Sequence, residues 1–130
     1  MTNSRAKSTG PALEAHYRFL LWLVPTVEKF PRRQKFVLGD RIQNTALDAL
    51  ERLIEATFSR QRQQHLAVAN LDLEKLRFFF RLSTELQLID PRRYEFAARS
   101  IDEIGRLVGG WIRADHQAQA GNPPPFETAP

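Results

Sequence analysis

Arginine is the residue type in this chain best suited to binding chemistry. Fifteen of the 19 basic residues are Arg and four are Lys, against 15 acidic residues, so the net charge is only +4. A guanidinium is a planar fork of five N–H donors that grips phosphates and carboxylates bidentately. The bias therefore fits nucleic acid or acidic protein partners. A GC-rich genome would produce the same bias without a binding function, and composition leaves both explanations open.

Four arginines near the end of the chain recur every seven residues: Arg92, Arg99, Arg106 and Arg113. On a straight helix such a line drifts by only about 20° per heptad, so these residues would form one charged stripe. Glu95 and Glu103 lie three or four residues from members of the stripe, so pairing within the helix is the alternative to partner binding. We expect this pairing for Arg99 and Arg106 more than for Arg92 and Arg113.

Two further arginines, Arg77 and Arg81, stand in the most apolar stretch of the chain, Leu-Arg-Phe-Phe-Phe-Arg-Leu. Burying an unpaired guanidinium is prohibitive, so this face must meet water, an acidic partner or phosphate. Ion pairs with Glu74 and Glu85, within one helical turn, are the alternative.

No residue pattern predicts catalysis or metal binding. His16, His65 and His116 fall in different segments, and none has a histidine or carboxylate at helical metal-ligand spacing. The chain contains no cysteine, no Gly-x-Ser-x-Gly elbow, no phosphate loop and no paired-carboxylate motif. We therefore predict a protein that is not an enzyme, with no catalytic residues, no metal site and no cofactor.

The elements that would position these arginines are helices. A chain of 130 residues with 42% apolar residues suits one domain with one core. Apolar residues recur with helical periodicity in four segments, at about 11–30, 34–62, 66–88 and 91–116. Short connections favour antiparallel neighbours, so we predict an all-α, up-down-up-down antiparallel four-helix bundle over residues 11–117. Polar residues 1–10 and Pro-rich residues 118–130 would be flexible tails.

Breaker residues refine this prediction. Pro25 should kink or split the first helix, and Asp90-Pro91 should begin the fourth, with Asp90 capping its free amides. Gly105, Gly109 and Gly110 weaken the fourth helix by about 1 kcal/mol each relative to Ala. We expect them to admit another helix closely, within the same chain in preference to a second subunit.

In the predicted topology, the first and third connections meet at one end of the bundle. Six basic residues would then share that end, which we call the basic pole: Lys29, Arg32, Arg33, Lys35, Arg92 and Arg93. Apolar residues on additional faces of the second and third helices favour self-association.

Three stretches resemble a known family. Phe-Pro-Arg-Arg-Gln-Lys-Phe (30–36), Leu-Arg-Phe-Phe-Phe-Arg-Leu (76–82) and Ile-Gly-Arg-Leu-Val-Gly-Gly-Trp-Ile (104–112) are similar to the accessory variability determinant family of diversity-generating retroelements. The likeness spans about residues 17–121 and is more distant to the four-helix proteins encoded in intervening sequences of ribosomal RNA genes. The Pro-rich tail and the long polar start depart from the family pattern and leave the role of both termini open.

The resemblance implies a non-catalytic four-helix protein that forms a homopentamer, binds RNA and DNA, and associates with the retroelement's reverse transcriptase to support mutagenic cDNA synthesis and retrohoming. Carried over by position, Arg32, Arg33, Lys35, Arg77 and Arg81 become candidate contacts. With four arginines of the fourth helix they make nine candidate residues for binding nucleic acid or a partner: Arg32, Arg33, Lys35, Arg77, Arg81, Arg92, Arg93, Arg99 and Arg106. Phosphate contacts by such residues would give salt-dependent and mostly sequence-independent binding. The alternatives are a ribosomal intervening-sequence-type protein and a generic oligomeric helical scaffold for protein interactions. With no membrane segment in the sequence, we expect a cytoplasmic protein.

Overall fold

The computed structural model describes the backbone of residues 3–121 and the side chains of residues 9–121. Its elements are α1 (Asn3–Glu28), α2 (Arg32–Gln34), a π-helical segment (Lys35–Gly39), α3 (Asp40–Phe58), α4 (Arg62–Glu85) and α5 (Pro91–Gly121). The second helix, the π-helical segment and the third helix follow one another without a break. The described part of the chain therefore has four long helical units and no strand, which confirms the all-helical prediction.

The helical units pack around one core. The first helix contacts α3 and α5, and α4 contacts the same two helices. Leu23, Ile42, Leu73 and Ile101 contribute one fully buried side chain from each unit. Each unit thus buries its apolar stripe against two neighbours, as expected when amphipathic helices share a single core.

An aromatic cluster joins three of the helices. Phe80 of α4 lies with its ring centroid 6.1 Å from those of both Phe19 and Trp22 on α1. Trp22 also lies 4.7 Å from the ring of Phe96 on α5. These separations are typical of favourable aromatic pairs, so the cluster stabilises the contact of α1 with α4 and α5.

The first helix does not split at Pro25. Among its described residues only Gly10 departs from helical geometry, with φ 80° and ψ 166°. Pro25 removes the backbone donor that would reach the Leu21 carbonyl, and the Thr26 hydroxyl donates to the Trp22 carbonyl, four residues before it, at 2.7 Å. The helix therefore continues through the proline, and the interruption falls at Gly10, where the sequence predicted the helix to begin.

The predicted tails lie partly outside the described residues. The last helix continues to Gly121, beyond the predicted end at His116. Residues 1–2 and 122–130 lie outside the described part, so the proposed flexibility of the termini stays a prediction.

The connection between α4 and α5 is tight. Gln87 adopts a left-handed conformation with φ 62°, and the Leu88 N–H donates to the Ser83 carbonyl at 2.8 Å. This is a Schellman-type helix end. Asp90 then caps α5 as predicted, because its Oδ1 accepts a hydrogen bond from the Arg93 N–H at 2.8 Å. That hydrogen bond is the main cause of the lowered pKa of Asp90.

Candidate nucleic-acid interface

The first and third connections lie together, as the basic-pole prediction required. Lys29, at the end of α1, and Arg93, at the start of α5, line the same cleft of about 570 Å³. Arg33 lines a second cleft with Leu82 and Leu86 at the end of α4. The basic side chains of the first and third connections are thus brought to one end of the bundle.

Two of the six basic-pole residues are neutralised within the chain. Lys35 Nζ lies 2.9 Å from Glu28 Oε1, and Arg93 Nη1 lies 2.6 Å from Asp90 Oδ2. The other four are exposed and have no carboxylate within 4.0 Å among the described residues: Lys29, Arg32, Arg33 and Arg92. These four carry the uncompensated charge of the pole.

Arg77 and Arg81 are both ion-paired. Arg77 Nε lies 2.9 Å from Glu74 Oε2, and its Nη1 also bonds Asp102 on α5. The Asp102 hydrogen bond is the main cause of the raised pKa of Arg77. Arg81 Nε lies 3.2 Å from Glu85 Oε2. The pairing alternative therefore describes both residues, and Arg77 additionally links two helices.

The heptad stripe of α5 divides as expected. Arg99 pairs with Glu95 at 2.9 Å and Arg106 with Glu103 at 2.7 Å, and the pairing with Glu103 raises the pKa of Arg106. Arg92 and Arg113 have no carboxylate partner in the described part of the chain. The centre of the stripe is thus neutralised and its ends are not.

The prediction that the α5 glycines admit another helix of the same chain is wrong. A Cβ built on Gly105 would lie 3.6 Å from Arg77 Nη2, and Cβ atoms on Gly109 and Gly110 would lie 3.6 and 3.8 Å from Arg113 nitrogens. No neighbouring backbone atom lies within 4 Å of these positions. Guanidinium groups lie beside the glycines at ordinary van der Waals distance, and the spacing of Arg113, three and four residues after Gly110 and Gly109, was a usable signal.

The histidines have separate environments. His16 is fully buried, and its Nε2 lies 2.8 Å from the Ala46 carbonyl oxygen; burial lowers its pKa. His65 Nδ1 lies 3.2 Å from Arg52 Nη1. The described residues contain no group of three or more side chains placed to hold a metal ion. None of their helices is long and apolar enough to cross a membrane.

Most of the chain matches a known protein family. Residues 12–114 match the family described as bAvd-like, whereas no curated protein matches the chain. The matched range begins just after the Gly10 interruption and contains all nine candidate binding residues. This match confirms the resemblance to the accessory variability determinant family.

Proposed function

Because the chain belongs to the bAvd-like family, we propose that it is the non-catalytic accessory protein of a diversity-generating retroelement. In this proposal it binds the reverse transcriptase of the same element together with RNA and DNA, and it supports mutagenic cDNA synthesis and retrohoming in the cytoplasm. The family match over most of the chain is the observation that carries the proposal. The proposal includes an up-down-up-down antiparallel bundle as the protomer, consistent with the observed helix contacts.

The basic pole supports the nucleic-acid part of the proposal. Lys29, Arg32, Arg33 and Arg92 are exposed and uncompensated, so each can replace a counterion at a phosphate. Described side chains supply no base-reading motif, which favours contacts with the phosphate backbone and hence sequence-independent binding.

Exposed apolar side chains on α1 and α3 support self-association. Tyr17 and Leu21 on α1, and Leu47, Ile54 and Phe58 on α3, are all more than one third exposed. The α3 residues recur at intervals of seven and four, so they share one face of that helix. Such faces commonly mark subunit contacts, and we propose that they contribute to a homo-oligomer, a pentamer by family resemblance.

Co-purification tests the proposal. The tagged protein would be expressed with the reverse transcriptase encoded beside it, and the captured enzyme and RNA would be measured with the oligomer mass. We expect the wild type to capture both, and Arg32→Gln/Arg33→Gln to lose most of the RNA at unchanged oligomer mass. Arg99→Gln is the matched control, because Arg99 is exposed but already paired with Glu95. An intact oligomer that captures neither enzyme nor RNA would contradict the proposal.

A plain protein-interaction scaffold is the second candidate, because six of the nine candidate residues are ion-paired within the chain: Lys35, Arg77, Arg81, Arg93, Arg99 and Arg106. This candidate predicts capture of the polymerase that survives nuclease treatment and high salt. Loss of RNA with retention of the enzyme under those conditions would favour it. A ribosomal intervening-sequence protein would be distinguished by a genomic neighbourhood without a reverse transcriptase gene.

A further inference from the structure

A second cationic cleft lies at the other end of the helices from the basic pole. It is formed by the first described side chains of α1, the end of α3, the start of α4 and the later part of α5. Its volume is about 570 Å³, and its lining includes Arg62, Arg106, Trp111 and Arg113 but no Asp or Glu. We call it the arginine–tryptophan cleft. Three guanidinium groups around one concave surface predict an anionic ligand.

The three arginines of the cleft differ in how far they are already engaged. Arg62 Nε donates to the Ala56 carbonyl at 2.8 Å, and its Nη1 lies 3.6 Å from Asp115 Oδ1. Arg106 is paired with Glu103, as described above. Arg113 is exposed and has no carboxylate partner among the described residues. Its donors are therefore the ones most available to a ligand.

The Arg113 guanidinium lies beside two glycines of its own helix. Its Nη1 and Nη2 atoms lie 3.6 and 3.8 Å from where Cβ atoms of Gly109 and Gly110 would be. The guanidinium thus folds back along the helix toward the cleft, at a distance where an added Cβ would only make ordinary van der Waals contact.

Trp111 supplies an aromatic wall beside these donors. Its side chain packs partly against the hydrophobic core, and its remaining surface lines the cleft. Core packing orients the indole without covering it completely. An indole next to guanidinium donors is the combination used for single-stranded nucleic acid, where bases stack on aromatic rings and cations contact the backbone.

We propose that the arginine–tryptophan cleft binds one nucleotide of a single-stranded nucleic acid, with its base stacked on Trp111 and its phosphate on Arg113. This inference rests on the proposed nucleic-acid binding and adds a second site with a stated strand preference. Bases within a duplex are stacked on each other and cannot enter a cleft without being flipped out. The cleft should therefore discriminate single strands from duplexes, whereas the basic pole should bind both.

Tryptophan fluorescence gives a direct test. The chain has two tryptophans, and Trp22→Phe leaves Trp111 as the only one. We expect a short oligothymidylate to quench Trp111 saturably, and a duplex of the same length to quench it much less.

Arg113→Gln should weaken oligothymidylate binding about fivefold or more and leave duplex binding nearly unchanged. Trp111→Leu should do likewise, because one stacked base contributes about 1–3 kcal/mol, or roughly 5- to 150-fold in affinity. Arg99→Gln is the control on the same helix, and fluorescence anisotropy of labelled strands measures total binding.

The possible results separate this inference from the proposed function. Binding of oligothymidylate by anisotropy, without Trp111 quenching and without an effect of Arg113→Gln, would overturn the cleft site and leave the proposed function standing. Loss of duplex binding in Arg32→Gln/Arg33→Gln with Trp111 quenching retained would support two independent sites. Quenching by polyglutamate but not by oligothymidylate would replace the nucleotide with an acidic peptide and so refute the inference. Failure to bind any nucleic acid would count against both.

Discussion

The salt dependence of nucleic-acid binding should count the uncompensated cations of the basic pole. Each phosphate neutralised on duplex DNA contributes about −0.9 to the slope of log K against log salt concentration. Lys29, Arg32, Arg33 and Arg92 have no carboxylate partner, so full engagement of the four would give a slope of about −3.6 per protomer. Arg32→Gln/Arg33→Gln removes two of them and should reduce the magnitude of the slope by about 1.8.

The matched control for this experiment is Arg99→Gln. Arg99 is the more exposed side chain of its ion pair, but its charge is balanced by Glu95 at 2.9 Å. Because Glu95 already balances the charge of Arg99, a phosphate contact at Arg99 should release few counterions. We therefore expect the slope of Arg99→Gln to match that of the wild type.

Anisotropy titrations with labelled duplex DNA, between about 50 and 200 mM salt, would measure these slopes. The oligomer mass of each variant must be known, because the slope is expressed per protomer. If Arg99→Gln and Arg32→Gln/Arg33→Gln reduced the magnitude of the slope equally, ion pairing within the chain would not determine which residues bind phosphate. A wild-type slope near zero would refute the phosphate-contact reasoning altogether.

Three stability predictions follow from the fold, each measurable by urea denaturation. Gln87→Gly should raise the free energy of unfolding by about 1 kcal/mol, because Gly adopts the left-handed conformation at φ 62° without a steric cost; an unchanged stability would contradict this account. Phe80→Ala should lower it by about 3–5 kcal/mol, since the ring is 1% exposed within the aromatic cluster; a loss below that of an exposed Phe58→Ala control would be inconsistent with this core. Burial raises the pKa of Asp72 in the folded protein above its ordinary value of 3.8, so ionisation of this carboxyl opposes folding. The stability of the wild type therefore falls as pH rises from 3.8 to the raised pKa. Asp72→Asn should therefore be more stable than the wild type at neutral pH, and this advantage should shrink below pH 3.8; an advantage independent of pH would refute the ionisation argument.

The helices could be predicted from sequence because local signals agree with the packing. The four apolar segments have helical periodicity, and Asp90-Pro91 combines a capping side chain with a residue tolerated in the first turn. The π-helical segment at Lys35–Gly39 could not be predicted, because these residues carry no local signal that separates an i→i+5 turn from an α-helical turn. The continuation of α1 through Pro25 could not be predicted either, because a proline inside an apolar-periodic segment can also end or split a helix.

The ion pairs between residues one helical turn apart could be predicted from sequence, whereas those between distant residues could not. The partners of Arg81, Arg99 and Arg106 lie three or four residues away, so helical spacing alone identifies them. The second bond of Arg77 reaches Asp102 on another helix and could not be inferred from sequence. Lys35 and Glu28 likewise meet only because the chain reverses between α1 and α2.

The arginines of α5 differ in whether a carboxylate of the same chain neutralises them, a difference that composition alone does not show. Along α5 the middle members of the stripe, Arg99 and Arg106, are balanced by carboxylates of their own helix, whereas Arg92 and Arg113 at its two ends are not. The modest net charge of +4 therefore understates the local positive potential, which is concentrated where the helices terminate. At one end of the bundle this positive potential lies on the exposed basic pole, and at the other end it lies in the cleft beside the indole of Trp111. If both ends bind nucleic acid, they should differ in strand preference, since only the second end offers a surface on which an unpaired base can stack.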